Sequence, residues 1–161
     1  MSEQQKLLRF LSSFTVVAVK KFVAKNEFRE GNTTDGVSIA WLGGNFKNNF
    51  LGKTEEDVEA TELKIHKLIM EARDLPKDDE PGIIPELAGK HEIKLAHFFQ
   101  LLTHKQKTED FAGIVAYICD ENGTLVAVGA RWSSGRVGWG VSADPIVDLD
   151  KWPSTLVFVS R

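Results

Sequence analysis

FAGIVAYICDENGTLVAVGARWSSGRVGWGVS, residues 111–142, reads as three short antiparallel strands joined by two tight turns. Asn122-Gly123 separates the apolar runs Val115–Cys119 and Leu125–Val128. A two-residue hairpin loop of type I′ favours that dipeptide, because both central residues take φ > 0. A second turn at Ser134-Gly135 returns Arg136–Ser142 beside Val128–Ser133 and extends the hairpin into a three-stranded meander.

The meander's glycines carry a further expectation. A two-residue loop at Ser134-Gly135 sets Arg131 opposite Gly138 and Gly129 opposite Gly140, leaving one sheet face almost without side-chain bulk. Val128, Ala130, Trp132, Val137, Trp139 and Val141 fall on the other, core-like face. The bare strip is edged by Arg131, Arg136 and Ser142 and admits a backbone, a packed helix or a planar ligand at close range. GRVGWG (135–140) has the wrong glycine spacing for a dinucleotide fingerprint and opens no helix.

Outward from the meander, residues 3–11 suit a short helix and Phe14–Val23 a strand, with one longer helix over 3–25 as the alternative, since Leu7, Leu11, Phe14 and Ala18 fall near one helical face. Val37, Ile39 and Trp41 alternate with Ser38, Ala40 and Leu42, predicting a second strand paired with the first. Thr54 caps a predicted helix running to Leu75, whose apolar face holds Val58, Ile65, Leu68, Ile69 and Ala72. The acidic, proline-containing stretch Asp74–Gly82 ends it as a solvated loop. His91–His104 reads as a second helix burying Leu95, Phe98, Phe99 and Leu102, and Thr155–Val159 as a last strand. The expected fold over residues 1–161 is a single α+β domain. It has an antiparallel sheet of five to six strands, the C-terminal meander, and two main helices packed on one face.

Composition narrows the chemistry. The chain's 161 residues carry a net charge of −3 without a polybasic arm, which argues against general nucleic-acid binding. Cys119 is the single cysteine, so an internal disulfide is impossible, and no apolar run is long enough to cross a bilayer. A cytoplasmic location is expected. Gly52-Lys53-Thr54 imitates a phosphate loop, but Lys47 stands where the first glycine belongs and three acids follow. His97 and His104 sit seven apart on the polar helix face, not at zinc spacing, and His66 and His91 lack nearby ligands. No metal or cofactor is expected. No catalytic residues are assigned, although Asp120 or Asp144 with His91 stands as a distant acid and histidine pair.

The expectation is a non-catalytic regulatory protein, an inhibitor or adaptor that binds another protein. Its candidate binding residues are Arg131, Gly138, Gly140, Arg136 and Trp139, together with Phe46 and Phe50 from a polar loop. The alternative is a small-ligand or nucleotide-binding α+β domain or small hydrolase using the glycine strip. Because Asp74–Gly82 supplies no apolar stripe, replacing Asp78, Asp79 and Glu80 by Asn, Asn and Gln is expected to change the unfolding free energy by less than about 1 kcal/mol. Denaturant titration checks this; a large loss that divalent cation reverses only in the wild type would mark a structural metal site instead.

Overall fold

The computed structural model describes residues 8–34, 37–68, 91–105, 113–133, 138–145 and 156–161. The loop 74–82 lies outside them. In chain order the elements are β1 (Leu8–Val16), β2 (Val19–Val23), α1 (Ala24–Glu27), β3 (Asn32–Thr34), β4 (Val37–Leu42), α2 (Gly44–Phe50), β5 (Thr54–Val58) and β6 (Thr61–Leu68). There follow α3 (Leu95–Lys105), β7 (Gly113–Cys119), β8 (Leu125–Ser133), β9 (Gly138–Pro145) and β10 (Leu156–Ser160). The architecture is α+β and dominated by sheet. Eight strands pair in the order β1-β6-β10-β7-β8-β9-β4-β3, and β2 with β5 forms a separate antiparallel pair.

The sheet is mixed rather than antiparallel, since β10 runs parallel to β7 and β4 parallel to β9. Those two junctions join segments remote in sequence, which local turn signals do not report. The expected helix from Thr54 is instead the strands β5 and β6. Leu63 and Ile65 are buried while their neighbours Glu62, Lys64 and His66 are not, a period of two that the helical spacing of Val58, Ile65 and Leu68 obscured. One long helix, α3, therefore occupies the place of two among the described residues. The expected N-terminal helix is strand from Leu8 onward, and β4 pairs with β3 and β9 rather than with the first strand.

The meander is present, with a different first turn and a shifted second register. Of Asn122 and Gly123 only Gly123 takes a positive φ (+82°), and the Asp120 carboxylate accepts the Asn122 and Thr124 N–H groups at 2.9 Å each. Gly123 N–H donates to the Asp120 carbonyl at 3.0 Å, so this is a three-residue loop with glycine in the left-handed position, not a type I′ turn. Between β8 and β9 the register pairs Arg131 with Gly140 and Trp132 with Trp139, two residues removed from the expected alignment. An even shift leaves every side chain on its expected face.

The helix α3 is the axis of the core. Leu95, Phe98, Leu101 and Leu102 are fully buried, and Ala96 and Phe99 nearly so, as expected for a helix covered on most sides. It touches β1, β4 and β5. β1 and β4 stand six strand positions apart, about 29 Å across a flat sheet, whereas a helix with its side chains is about 10–12 Å wide. The eight-stranded sheet therefore curls around α3. An aromatic chain of Phe22, Phe28, Phe46 and Phe99 joins β2, α2 and α3 at centroid distances of 5.1–6.1 Å.

Glu55 of β5 fixes where this helix begins. Its carboxylate accepts the Leu95 N–H at 2.9 Å and the Ala96 N–H at 2.8 Å, and Lys53 Nζ lies 3.2 Å away. The same ammonium donates to the Cys119 carbonyl at the end of β7. A carboxylate at the positive end of a helix satisfies otherwise orphaned donors, and burial of both ion-pair partners raises the cost of removing either. Glu55→Ala is expected to cost about 3–5 kcal/mol in denaturant unfolding, because it orphans two buried N–H groups and a largely buried ammonium. Glu55→Gln, which keeps one acceptor, should lose less; equal stability of all three proteins would contradict the assignment.

Candidate functional site

The outer face of β4, β8 and β9 carries the strip of low side-chain bulk. Gly140 is half-buried, Gly129 pairs with Ser142, and Arg131 is exposed beside them. The strip is covered neither by a helix nor left bare: the indole of Trp41 lies across it. A Cβ placed on Gly140 would stand 3.3 Å from Trp41 Cε3, and one on Gly43 would stand 3.3 Å from Cη2. The ring thus spans two glycines, whose missing side chains let it lie against backbone. Gly43 is held by its N–H bond to the Val141 carbonyl at 2.8 Å.

Trp41 remains 46% exposed despite this support, whereas Ile39 and Leu42 of the same strand are buried. Alternation groups Trp41 with Ile39 on one face. The pairing of β4 with β9 is irregular between Ile39 and Trp41, and that irregularity turns Trp41 outward. A hollow of about 280 Å³ adjoins the ring, lined by Ala40, Trp41, Arg131, Trp132, Ser133, Gly140 and Ser142. No acidic side chain among the described residues pairs with Arg131.

Of the other expected site residues, Trp139, Phe46 and Phe50 face the core instead of this surface, while Gly138 shares the strip's face two positions from Gly140. Gly138 is buried opposite Ser133, and Arg136 lies outside the described residues. Trp139 is in the core, its Nε1–H donating to the Leu102 carbonyl at 3.2 Å. Phe46 and Phe50 are fully buried in α2 and stacked at 5.0 Å, so the polar segment around them is a short helix pinned to the core. Lys47 of that helix pairs with Glu30 at 2.8 Å, and this ammonium holds the exposed Glu30 carboxyl below its ordinary range, with the Leu42 N–H assisting.

Elsewhere, chemically suggestive groups are committed to structure. Lys53 is engaged by Glu55 and Cys119, and Glu55 fills the helix N-terminus that a phosphate would need. A polar cleft of about 690 Å³ beside β5 exposes Glu56, Asp57, Glu59 and Glu92 alongside Lys94 and Arg161. Asp57 there takes φ +51°, a kink in β5. Among the described residues no three His, Cys, Asp or Glu side chains are grouped to hold a metal ion. His97, expected in solvent, is buried: Nδ1 accepts the Lys94 N–H at 3.4 Å and Nε2 donates to the Glu59 carbonyl at 2.8 Å. The side chain of His104 lies outside the description.

One arrangement was invisible in the sequence because its members are ninety-four positions apart. His66 Nε2 lies 2.9 Å from Ser160 Oγ, a nucleophile and base distance. Ser160 is 2% exposed, however, and its Oγ also lies 3.4 Å from the Arg161 carbonyl, so the hydroxyl is enclosed rather than presented to a substrate. Asp120 is likewise spent on its turn, and His91 packs edge-on against Tyr117 at 5.8 Å.

Two outcomes test this description. Gly140→Val is expected to push the exposed Trp41 ring off the sheet, shifting tryptophan fluorescence to the red while changing stability by less than about 1 kcal/mol; an unchanged spectrum would mean that the ring does not rest there. The Cys119 thiol is pushed up, first by burial and then by the neighbouring Glu92 carboxylate. Less thiolate is present at neutral pH than in a free cysteine, so alkylation should be slower than for free cysteine at pH 7 and accelerate only at higher pH.

No protein-family model, curated protein or solved structure matches this chain.

Proposed function

We propose that the chain is a non-catalytic protein-binding module whose contact surface is the outer face around Trp41 and Arg131. The observation that carries this reading is the half-exposed indole resting on Gly140 and Gly43 beside an exposed guanidinium that has no acidic partner among the described residues. Tryptophan and arginine dominate binding hot spots, and a ring already immobilised against backbone loses little conformational freedom on contact. The glycines serve the ring directly, since a side chain at either position crowds it.

Volume and chemistry distinguish this reading from a small-ligand site. Pockets that enclose small molecules run to about 300–1,000 Å³, and the hollow of about 280 Å³ falls at the bottom of that range. It suits one inserted side chain better than a nucleotide. Among the described residues its lining holds serine hydroxyls and one guanidinium but no carboxylate, imidazole or thiol that would transfer a proton at neutral pH. An inhibitor or adaptor role fits such a surface.

Trp41→Ala and Arg131→Ala are expected to leave the melting temperature within a few degrees of wild type, because both side chains are largely outside the core. In affinity capture from the native host, the protein retained by the wild type should be lost from both variants. Identical capture by all three would overturn the surface assignment. A nucleotide or other small molecule that stabilises only the wild type in a thermal-shift panel would replace the protein partner with a ligand.

A further inference from the structure

We propose that the side chain this surface takes from its partner is a carboxylate, an aspartate or glutamate set beside an apolar residue in a protein segment. The inference rests on the reading of the outer face as a protein-binding surface and names the chemistry that the face selects. Gly140 is the register partner of Trp41 in β4 on one side and of Arg131 in β8 on the other. Trp41 and Arg131 therefore share one cross-strand row, two strand spacings or about 10 Å apart, with no side chain at the position between them. The hollow of about 280 Å³ opens on this row, and both side chains line it. A guest entering there meets an indole on one flank and a guanidinium on the other.

Charge on these strands favours an acid. Across β4, β8 and β9 the charged side chains are Arg131 and Asp144. Asp144 pairs with Ala127, four positions along β8 from Arg131, which is about 13 Å and beyond the screening length of about 8 Å at physiological salt. Residues 134–137, Ser-Gly-Arg-Val, which join β8 to β9, contain no acid. Water and not an internal carboxylate thus solvates Arg131 among the described residues, and a partner's carboxylate can replace that water in the guanidinium's fork geometry. The Ser142 hydroxyl lines the same hollow and offers a further donor to a carboxylate oxygen.

Other guests fit less well. An apolar side chain would strip water from Arg131 without replacing its hydrogen bonds, and a lysine would repel it. A phosphorylated side chain carries about −1.5 to −2 charges at pH 7 and is met by clusters of arginine, whereas one described guanidinium faces this hollow. The half-exposed Trp41 ring, already held against Gly140 and Gly43, gives an apolar plane for the residue next to the acid.

Selection of heptapeptides from a random phage-displayed library on the wild-type chain, with Trp41→Ala as counter-selection, tests the proposal. Peptides that bind the wild type but not Trp41→Ala should be enriched in Asp and Glu. Replacing that acid by its amide should weaken a synthetic peptide about tenfold on the wild type and hardly at all on Arg131→Gln. Arg131 is exposed, so Arg131→Gln should keep the circular dichroism and melting temperature of the wild type. Peptides that need Trp41 but show no excess of acid, or an amide replacement equally costly on Arg131→Gln, would overturn the carboxylate assignment and leave the surface in place. Tighter binding of the same peptide with phosphoserine at the acid's position would overturn it in favour of a phosphate. Recovery of no peptide that depends on Trp41 would overturn this inference and the surface reading together.

Discussion

The buried carboxylate of Glu55 at the start of α3 is the constraint on which the rest of the molecule depends. It closes the first-turn donors of Leu95 and Ala96, neutralises Lys53, and through Lys53 reaches the Cys119 carbonyl at the end of β7. One side chain thereby ties the small β2–β5 pair to the central helix and to the large sheet. His97 and Gln100 repeat the device further along α3, bonding the Glu59 carbonyl and the Val17 backbone. Apolar packing around α3 supplies most of the drive to fold, but it is non-directional. The polar latches determine which turn of the helix meets which strand.

With α3 fixed, the form of the sheet follows. Strands six positions apart both reach one helix, so the sheet bends around it and its concave face becomes core. The convex side of β4, β8 and β9 is turned away from that core. There the glycines of β9 and the segment after β4 leave room for Trp41 to lie on backbone, and Arg131 stands beside it. Structure and proposed function are linked by this division: residues that hold the fold are inside the curve, and the binding candidates are outside it.

How much of this was legible in the sequence depended on whether the deciding contacts were local. The meander was readable because Asn122-Gly123 and the flanking apolar runs lie within a few residues of each other, and the face assignments of Trp139, Val141 and Arg131 survived a two-residue register shift. α3 was readable from the spacing of Leu95, Phe98, Phe99 and Leu102. The strands β5 and β6 were not, because Val58, Ile65 and Leu68 happen to satisfy a helical period while Glu55, a charged residue, occupies an inward position for a tertiary reason. The parallel junctions of β7 with β10 and β4 with β9 likewise depend on distant partners. Among the site residues Arg131 and Gly140 were accessible to pattern reading. Trp41's outward position was not legible, since the alternation groups it with the buried Ile39 and only the irregular pairing of β4 with β9 turns it outward.

Amide hydrogen exchange at Leu95 and Ala96 tests the central claim most directly. First-turn amides of an uncapped helix lack intrahelical acceptors and exchange by local fraying. If the Glu55 carboxylate locks the helix start, both amides should exchange as slowly as the core of α3, through global unfolding. Exchange at fraying rates, with Phe98 and Leu102 still protected, would show that the helix is held by packing alone and contradict the account.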